Sequence, residues 1–356
     1  MVKTARRATQ DDVARLAKVS TAVVSYVVNH GPRPVADATR ERVLRAIHDL
    51  DYRPNAAARA LKLARTDVLG LIVPDISNPF FSEFAKHVQG FAARDGFALM
   101  IGSTDLDPDR EAAQFGSVLE REVDGLIVFG IRDVSTLSAV VASGIPLVSM
   151  DWQLQDAAVP TIVADDYGAA KAGVDHLLGH GHTEIAYIGG PSDLLVSNAR
   201  RAAWVDLIGP TLPAARLHQL ETSADFSRRG GYLAARELLD GFTERPSALF
   251  VSSDIQAIGA LRACRELDVA IPTELAVVSF DGTLDSEYSA PPLTVVQLPL
   301  ALMAERAVKK VLDPEEAGLD LHSTVPHRII IRESCGCEPS TQTRADDRPE
   351  TTTNVR

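Results

Sequence analysis

Cysteine is scarce in this chain: Cys264, Cys335 and Cys337 are the only three in 356 residues. An odd, sparse set suits a reducing cytoplasm rather than a disulfide-built fold. No apolar run approaches the roughly 18 residues a membrane-spanning helix needs. Nothing near the start reads as an apolar leader before a small-residue cleavage site. A cytoplasmic protein with no membrane partner is therefore expected. A phosphate-cradling loop is missing, because Gly189-Gly190-Pro191 lacks the lysine and the spacing. A nucleophile elbow is missing too. No cofactor and no catalytic residues are expected. His176, His180 and His182 lie close in sequence, but no thiol or carboxylate completes a tetrahedral set beside them. Cys335-Gly336-Cys337 is too short for a zinc pair, so no metal is expected. Residues 338–356 have no apolar period and are expected to be disordered. They also lack the leucine heptads of a tetramerising bundle.

What is present is unevenly distributed. At 46% hydrophobic residues the chain can build well-packed cores, and its length predicts two or three units. Net charge is −12, yet residues 1–65 hold thirteen Lys/Arg against six acids, a net +7, which leaves −19 on the remainder. A basic head on an acidic body fits a domain that meets phosphates and a body that avoids them. Within the head, Thr9 to Asn29 reads as two short helices joined by a tight turn. Thr9 can cap the first, with Asp12 in the acceptor position of a capping box. Val13, Leu16 and Ala17 form its expected apolar stripe. Ser20 can cap the second, which buries Val23, Val24, Val27 and Val28. This is a helix-turn-helix whose second helix is sized for a DNA major groove. A third helix is expected from about Asp37 to Asp51, burying Val43, Leu44, Ile47 and Leu50. Pro54 ends it, and Asn55 can cap an Ala-rich stretch of about two turns. So short a helix is marginal alone and orders only when something holds it.

From residue 66 apolar runs alternate with amphipathic helices. This βαβ series predicts an α/β body of mainly parallel sheets with helices on both faces, in two subdomains. Ligands of such sheets sit at the carboxyl ends of the strands. Asp75, Asp151, Asp254 and Asp281 follow strand-like runs, and Arg200 begins a helix after the Gly189-Gly190-Pro191 loop. Phe80, Phe226 and Trp204 are the aromatic candidates for a cleft. Carboxylates, an arginine donor and a stacking ring suit a polyhydroxylated ligand such as a sugar. Paired aspartates also serve as general acid and base in glycoside hydrolysis, but binding alone uses the same residues, and no enzyme is expected.

The sequence resembles the LacI/GalR (lactose-repressor) family of bacterial transcription factors. The motifs that carry the resemblance are Val13-Ala14, Val19-Ser20, Val24-Ser25 and Val27-Val28-Asn29, then Thr39-Arg40-Glu41-Arg42-Val43, Tyr52-Arg53-Pro54-Asn55 and Ala58-Arg59-Ala60-Leu61. It extends to about residue 337. The resemblance implies a periplasmic-binding-protein-like clamshell, crossed by the chain near 163, 292 and 324. The expected organisation is a headpiece over 1–53, a hinge helix over 54–65 and an effector domain over 66–337. Its N-subdomain takes 66–163 and 293–323, and its C-subdomain 164–292 and 324–337.

The resemblance also places Thr21, Ala22 and Tyr26 at base edges, and Ser20, Ser25 and Asn29 at phosphates. Thr9, Asn55, Ala58 and Lys62 complete the expected DNA-contacting set. Leu61 matches a leucine that wedges into the central minor-groove step. It places Phe80, Asp151, Arg200, Phe226, Asp254, Asp281 and Gln297 at effector positions, and Asp75 and Trp204 join them from their place in the pattern. Three residues depart from the family pattern. Tyr26 stands where arginine is common, so a bidentate contact to guanine is absent. Ala22 offers only apolar contact. Lys18 replaces the usual turn glycine. The expected protein is a regulator, a homodimer on a pseudo-palindromic operator, repressing under the control of a small effector. The alternative is a cytoplasmic sugar-binding protein with a vestigial or protein-binding head. A steep salt dependence of DNA binding separates the two.

Overall fold

The computed structural model describes residues 8–28, 33–53, 65–131, 134–150, 159–240, 245–313, 315 and 321–337. The chain divides into two compact units, parted between Asp67 and Val68.

In the first unit, α1 (Gln10–Ala17) opens on a reciprocal cap. The Thr9 side chain accepts from the Asp12 N–H at 3.3 Å, and the Asp12 carboxylate accepts from the Thr9 N–H at 3.0 Å. The helix stops at Lys18, whose φ of 54° and ψ of 49° lie in the left-handed region. Two residues later α2 (Thr21–Val28) begins, with Ser20 Oγ accepting from the Val23 N–H at 3.4 Å. Gln10 Nε2 donates to the Thr21 carbonyl at 2.9 Å and ties the two helix starts together. With α3 (Asp37–Asp49) these helices bury Val13, Ala14, Ala17, Val24, Val27, Val43 and Ala46. Two expectations fail here. Leu16 and Leu44 are about half exposed, and Ala14 and Ala46 fill the seam instead. Short helices crossing at close range leave room for a methyl group at the contact and push a larger side chain to the rim.

The second unit holds two sheets, built in the order β1 (Val68–Val73), α4 (Pro79–Arg94), β2 (Ala98–Ser103), α5 (Pro108–Glu120), β3 (Gly125–Val128), α6 (Val134–Ser143), β4 (Leu147–Ser149), β5 (Thr161–Ala164), α7 (Asp166–Gly179), β6 (Ile185–Gly189), α8 (Leu195–Ile208), α9 (Ala214–Gln219), β7 (Glu221–Ser223), α10 (Arg228–Asp240), β8 (Ala248–Val251), α11 (Asp254–Glu266), β9 (Ala276–Asp281), α12 (Leu284–Glu287), β10 (Thr294–Gln297), α13 (Leu300–Leu312), β11 (His322–Val325) and β12 (Arg328–Ile330). Among the described residues one sheet runs β11-β5-β4-β3-β1-β2, all parallel. The other runs β12-β10-β9-β8-β6-β7, parallel except that β12 is antiparallel to β10. Strands β3, β8 and β9 are buried end to end, as parallel strands covered on both faces are. The helix starts are marked in the sequence: Asn78 and Asp107 cap α4 and α5, each followed by a proline.

The chain passes from sheet to sheet three times. It first leaves after β5, since α7 lies against β9 and β10. The second crossing falls at Leu298-Pro299 rather than near 292. Thr294–Gln297 pairs with β9 and stays in the second sheet, and Pro299 then caps α13, which packs on α4 and β3. The third falls at Pro326-His327 rather than 324, because Val325 still pairs with Ala164. Short strands carry no mark of which sheet they join; a proline follows the strand at the second and third crossings, whereas Asp165 follows it at the first.

Candidate functional site

A cavity of about 640 Å³ lies at the carboxyl ends of both sheets. Much of its wall is the residue or loop that follows a strand: Pro74 and Asp75 after β1, Phe129 and Gly130 after β3, Asp166 after β5, Pro191 after β6, Asp225 and Phe226 after β7, Ser253 after β8 and Asp281 at the end of β9.

Arg200 is its electrostatic centre. The side chain is buried, projecting from α8. Its Nε donates to Asp166 Oδ1 at 2.8 Å, Nη2 lies 2.7 Å from the same oxygen, and Nη1 donates to the Ser252 carbonyl at 2.6 Å. Asp281 Oδ1 is 3.7 Å from Nη1, and the guanidinium stacks 3.7 Å over the Phe280 ring centre. Burial opposes the arginine's charge, but Asp166 and Asp281 outweigh it and raise the affinity for its proton. Burial pushes both carboxyls above the ordinary carboxylate range, and Arg200 pulls back against that shift. Asp281 also has φ of 111°, a strained conformation for a residue with a side chain.

The opposite chemistry faces this polar end. Phe80, Phe81, Phe84 and Phe129 pack edge to face, with Phe80, Phe81 and Phe129 reaching the cavity. Phe226 lies over Gly190, where an added Cβ would come within 2.2 Å of the ring. Beside it Ser197 Oγ is buried with no hydrogen-bond partner among the described residues. Gln256, fully buried on α11, fixes the loops around Phe226. Its Nε2 donates to the carbonyls of Gly189 and Ala224, both at 2.9 Å, and its Oε1 accepts from Ser253 Oγ at 2.9 Å. Sequence reading passed over Gln256 because the third position of a helix, after the Ser253 cap, announces nothing of carbonyl partners on two other loops. It passed over Asp166 as well, although Asp166 follows a strand-like run as the other aspartates do.

Of the nine expected effector residues, Asp75, Phe80, Arg200, Phe226 and Asp281 line the cavity. Trp204 does not. It is wholly buried, stacked on Tyr187 with Nε1 donating to the Ile185 carbonyl at 2.9 Å. Four residues beyond Arg200 on α8, its ring packs into the sheet core. Asp254 is buried behind the wall, accepting from Ser279 Oγ at 2.5 Å and from the Thr283 N–H and Oγ1 at 2.7 and 2.9 Å. Its pKa is raised by burial against those bonds. Gln297 braces the Asp281 turn, donating to the Gly282 carbonyl at 3.2 Å and accepting from Arg328 at 2.8 Å. Asp151 lies outside the described residues.

In the first unit Thr9 and Ser20 cap helices. Thr21 and Ala22 are exposed on α2, and Ser25 and Tyr26 half-exposed, while Val24 and Val27 turn inward. Asn29, Asn55, Ala58, Leu61 and Lys62 lie outside the described residues. The expectation that no thiol stands beside His176, His180 and His182 fails on geometry. His176 and His180 meet both thiols of the Cys-Gly-Cys turn, whereas His182 bonds Ser247 instead.

Residues 9–55 match the model of bacterial regulatory proteins of the lacI family, and residues 174–335 match a periplasmic binding protein-like domain. The regulator DegA of Bacillus subtilis is 34% identical over 336 residues, covering 88% of this chain and 97% of that protein. A Lac repressor dimer bound to operator and the anti-inducer ONPF superposes with a TM-score of 0.79 at 25% identity, covering 93% of this chain and 99% of that one. A complex of the transcriptional regulator CelR with cellobiose superposes with a TM-score of 0.68 at 27% identity, covering 92% and 100%.

Proposed function

The chain belongs to the lacI family of bacterial regulatory proteins, and from that premise we propose that it is a repressor whose hold on a pseudo-palindromic operator is set by a neutral, polyhydroxylated effector, a sugar, in the cleft. The observation that carries the choice of effector is the charge balance of the lining. Among the described residues Asp75, Asp105, Asp166, Asp193, Asp225 and Asp281 line the cavity with Arg200 as the counter-charge; two of those six carboxylates already occupy the arginine, and Asp105 is paired with Arg110. A phosphorylated or carboxylate ligand would meet net negative charge. Hydroxyl groups instead donate to carboxylates, while Phe80 and Phe226 offer flat apolar faces to the ring. The CelR complex, with its disaccharide, supports the same class.

In this reading α2 enters the major groove with Thr21, Ala22 and Tyr26 toward the bases, and Ser20, Ser25 and Asn29 hold phosphates. Two copies of the chain form a dimer that matches the two half-sites. The segment 54–65, with Asn55, Ala58, Leu61 and Lys62, orders as a helix on the operator, and Leu61 wedges into the central step. The protein binds its effector without turnover and works in the cytoplasm, where its operator is.

A thermal-shift screen of the full chain against neutral sugars, sugar phosphates and nucleosides tests the effector class. Neutral sugars are expected to raise the melting temperature and to change operator retention in a gel shift. A response to nucleosides or phosphorylated sugars alone would overturn the assignment.

A further inference from the structure

We propose that His176, His180, Cys335 and Cys337 bind one zinc(II) ion as a closed, four-coordinate structural site that ties the chain after β12 to the end of α7. Two local geometries bring the donors together. His176 and His180 stand one helical turn apart, so both imidazoles project from one face, with ring centres 4.8 Å apart. Cys335 and Cys337 flank Gly336, whose φ of +85° lets the turn present both sulfurs to the same side. The four donor atoms lie within 4.8 Å of one another.

The distances approach a tetrahedron. Bonds of about 2.0–2.1 Å to nitrogen and about 2.3 Å to sulfur imply donor–donor edges of roughly 3.3–3.8 Å. His176 Nε2 is 3.4 Å from Cys335 Sγ and 3.8 Å from Cys337 Sγ. The His180 Nε2 to Cys337 Sγ distance is 2.9 Å, so that edge must open by less than about 1 Å, within reach of a small χ rotation. Both rings point Nε2 at the thiols. Thr294 Oγ1 donates to Cys335 Sγ at 3.1 Å, an outer partner of the kind that orients a thiolate ligand. His182 is excluded by its 2.8 Å bond to Ser247.

Two thiolates and two imidazoles select zinc over oxygen-seeking cations, and four protein donors leave no open position for catalysis. Binding releases the two thiol protons to solvent, so the loaded site is neutral. Cys335 is buried and His180 exposed, which gives the ion a dry side and an approach. The same helix carries Asp166 at its first turn, so the ion would anchor the far end of an element that holds Arg200.

The test uses the full chain, untagged, purified with a thiol reductant. Elemental analysis is expected to find about one zinc per chain. Cobalt(II) loading should give the visible bands of a tetrahedral ion and the near-ultraviolet charge transfer of two thiolates. The C335S/C337S variant should lose both. If it fails to fold, H180A and C337S, at positions that are not buried, should weaken zinc retention and remove charge-transfer intensity only in C337S. Three results would overturn the proposal: reduced wild type that takes up no zinc from excess, zinc content unchanged in the variants, or a Cys335–Cys337 disulfide in the reduced preparation.

Discussion

Lys18 holds a left-handed conformation because α1 must end in one residue and turn into α2. Its N–H satisfies the carbonyls of Ala14 and Arg15, so the geometry serves the helix end while the side chain makes it strained. Replacing Lys18 with glycine should stabilise the first unit by about 1 kcal/mol, read as a higher midpoint of its transition in the full chain. Arg200 makes the opposite prediction. Arg200→Met leaves Asp166 and Asp281 buried without their cation and should cost about 3–5 kcal/mol at neutral pH. The pH dependence follows from the raised pKa of both carboxyls. A carboxyl raised on folding costs nothing below its unfolded pKa, and the cost grows as pH climbs toward the folded value. Without Arg200 the folded values rise further, so urea midpoints of the variant should recover on going from about pH 7 to about pH 5, more than those of wild type. At this scale the sequence was legible where the end of a strand by itself carries the residue to the cavity, as for Asp75 and Asp281. It was not legible for Trp204, Asp254 and Gln297, whose directions are set by packing between elements.

The helices α10 and α11 meet through glycine. A Cβ on Gly231 would stand 2.0 Å from the Gln256 carbonyl oxygen, and one on Gly259 2.0 Å from that of Arg228. Both obstacles are backbone, so neither can yield by a rotamer change. Gly231→Ala is expected to destabilise by about 1–3 kcal/mol despite the better helix propensity of alanine. Because Gln256 positions the loops around Phe226, the same variant should bind effector more weakly, a loss visible by calorimetry in the fraction that stays folded. The strands with continuous apolar runs, β1, β3, β6, β8 and β9, stand out in the sequence, as do the longer helices between them. The elements that do not are the short helices α9 and α12, the strands β7, β10, β11 and β12, each three or four residues long, and α13. Three residues of Glu-Thr-Ser at a sheet edge bury too little to leave a pattern, and β10 is known as a strand of the second sheet only from its register with β9. The cluster of His176, His180, Cys335 and Cys337 was hidden for a different reason: its halves are separated by 159 residues, and only the fold brings them together.

Taken whole, the chain joins a head of net charge +7 to a remainder of −19. Nonspecific DNA affinity then depends on the head's cations and falls steeply with salt as counterions are released. Effector and operator share one protein, so a factor by which the effector changes operator affinity must equal the factor by which operator changes effector affinity. The link in this scheme is the segment 54–65, and Leu61 gives it a test that separates wedge from charge. Leucine carries no charge, so Leu61→Ala should leave nonspecific binding and its salt slope as they are. Operator binding should weaken by about 1–3 kcal/mol, since the kink that widens the contact is no longer held open by an apolar side chain. Fluorescence anisotropy with operator and random duplex across a salt series measures both. Equal losses on the two DNAs would place the specificity wholly in α2, and the effector would then have to act through the spacing of the two heads rather than through an ordered hinge.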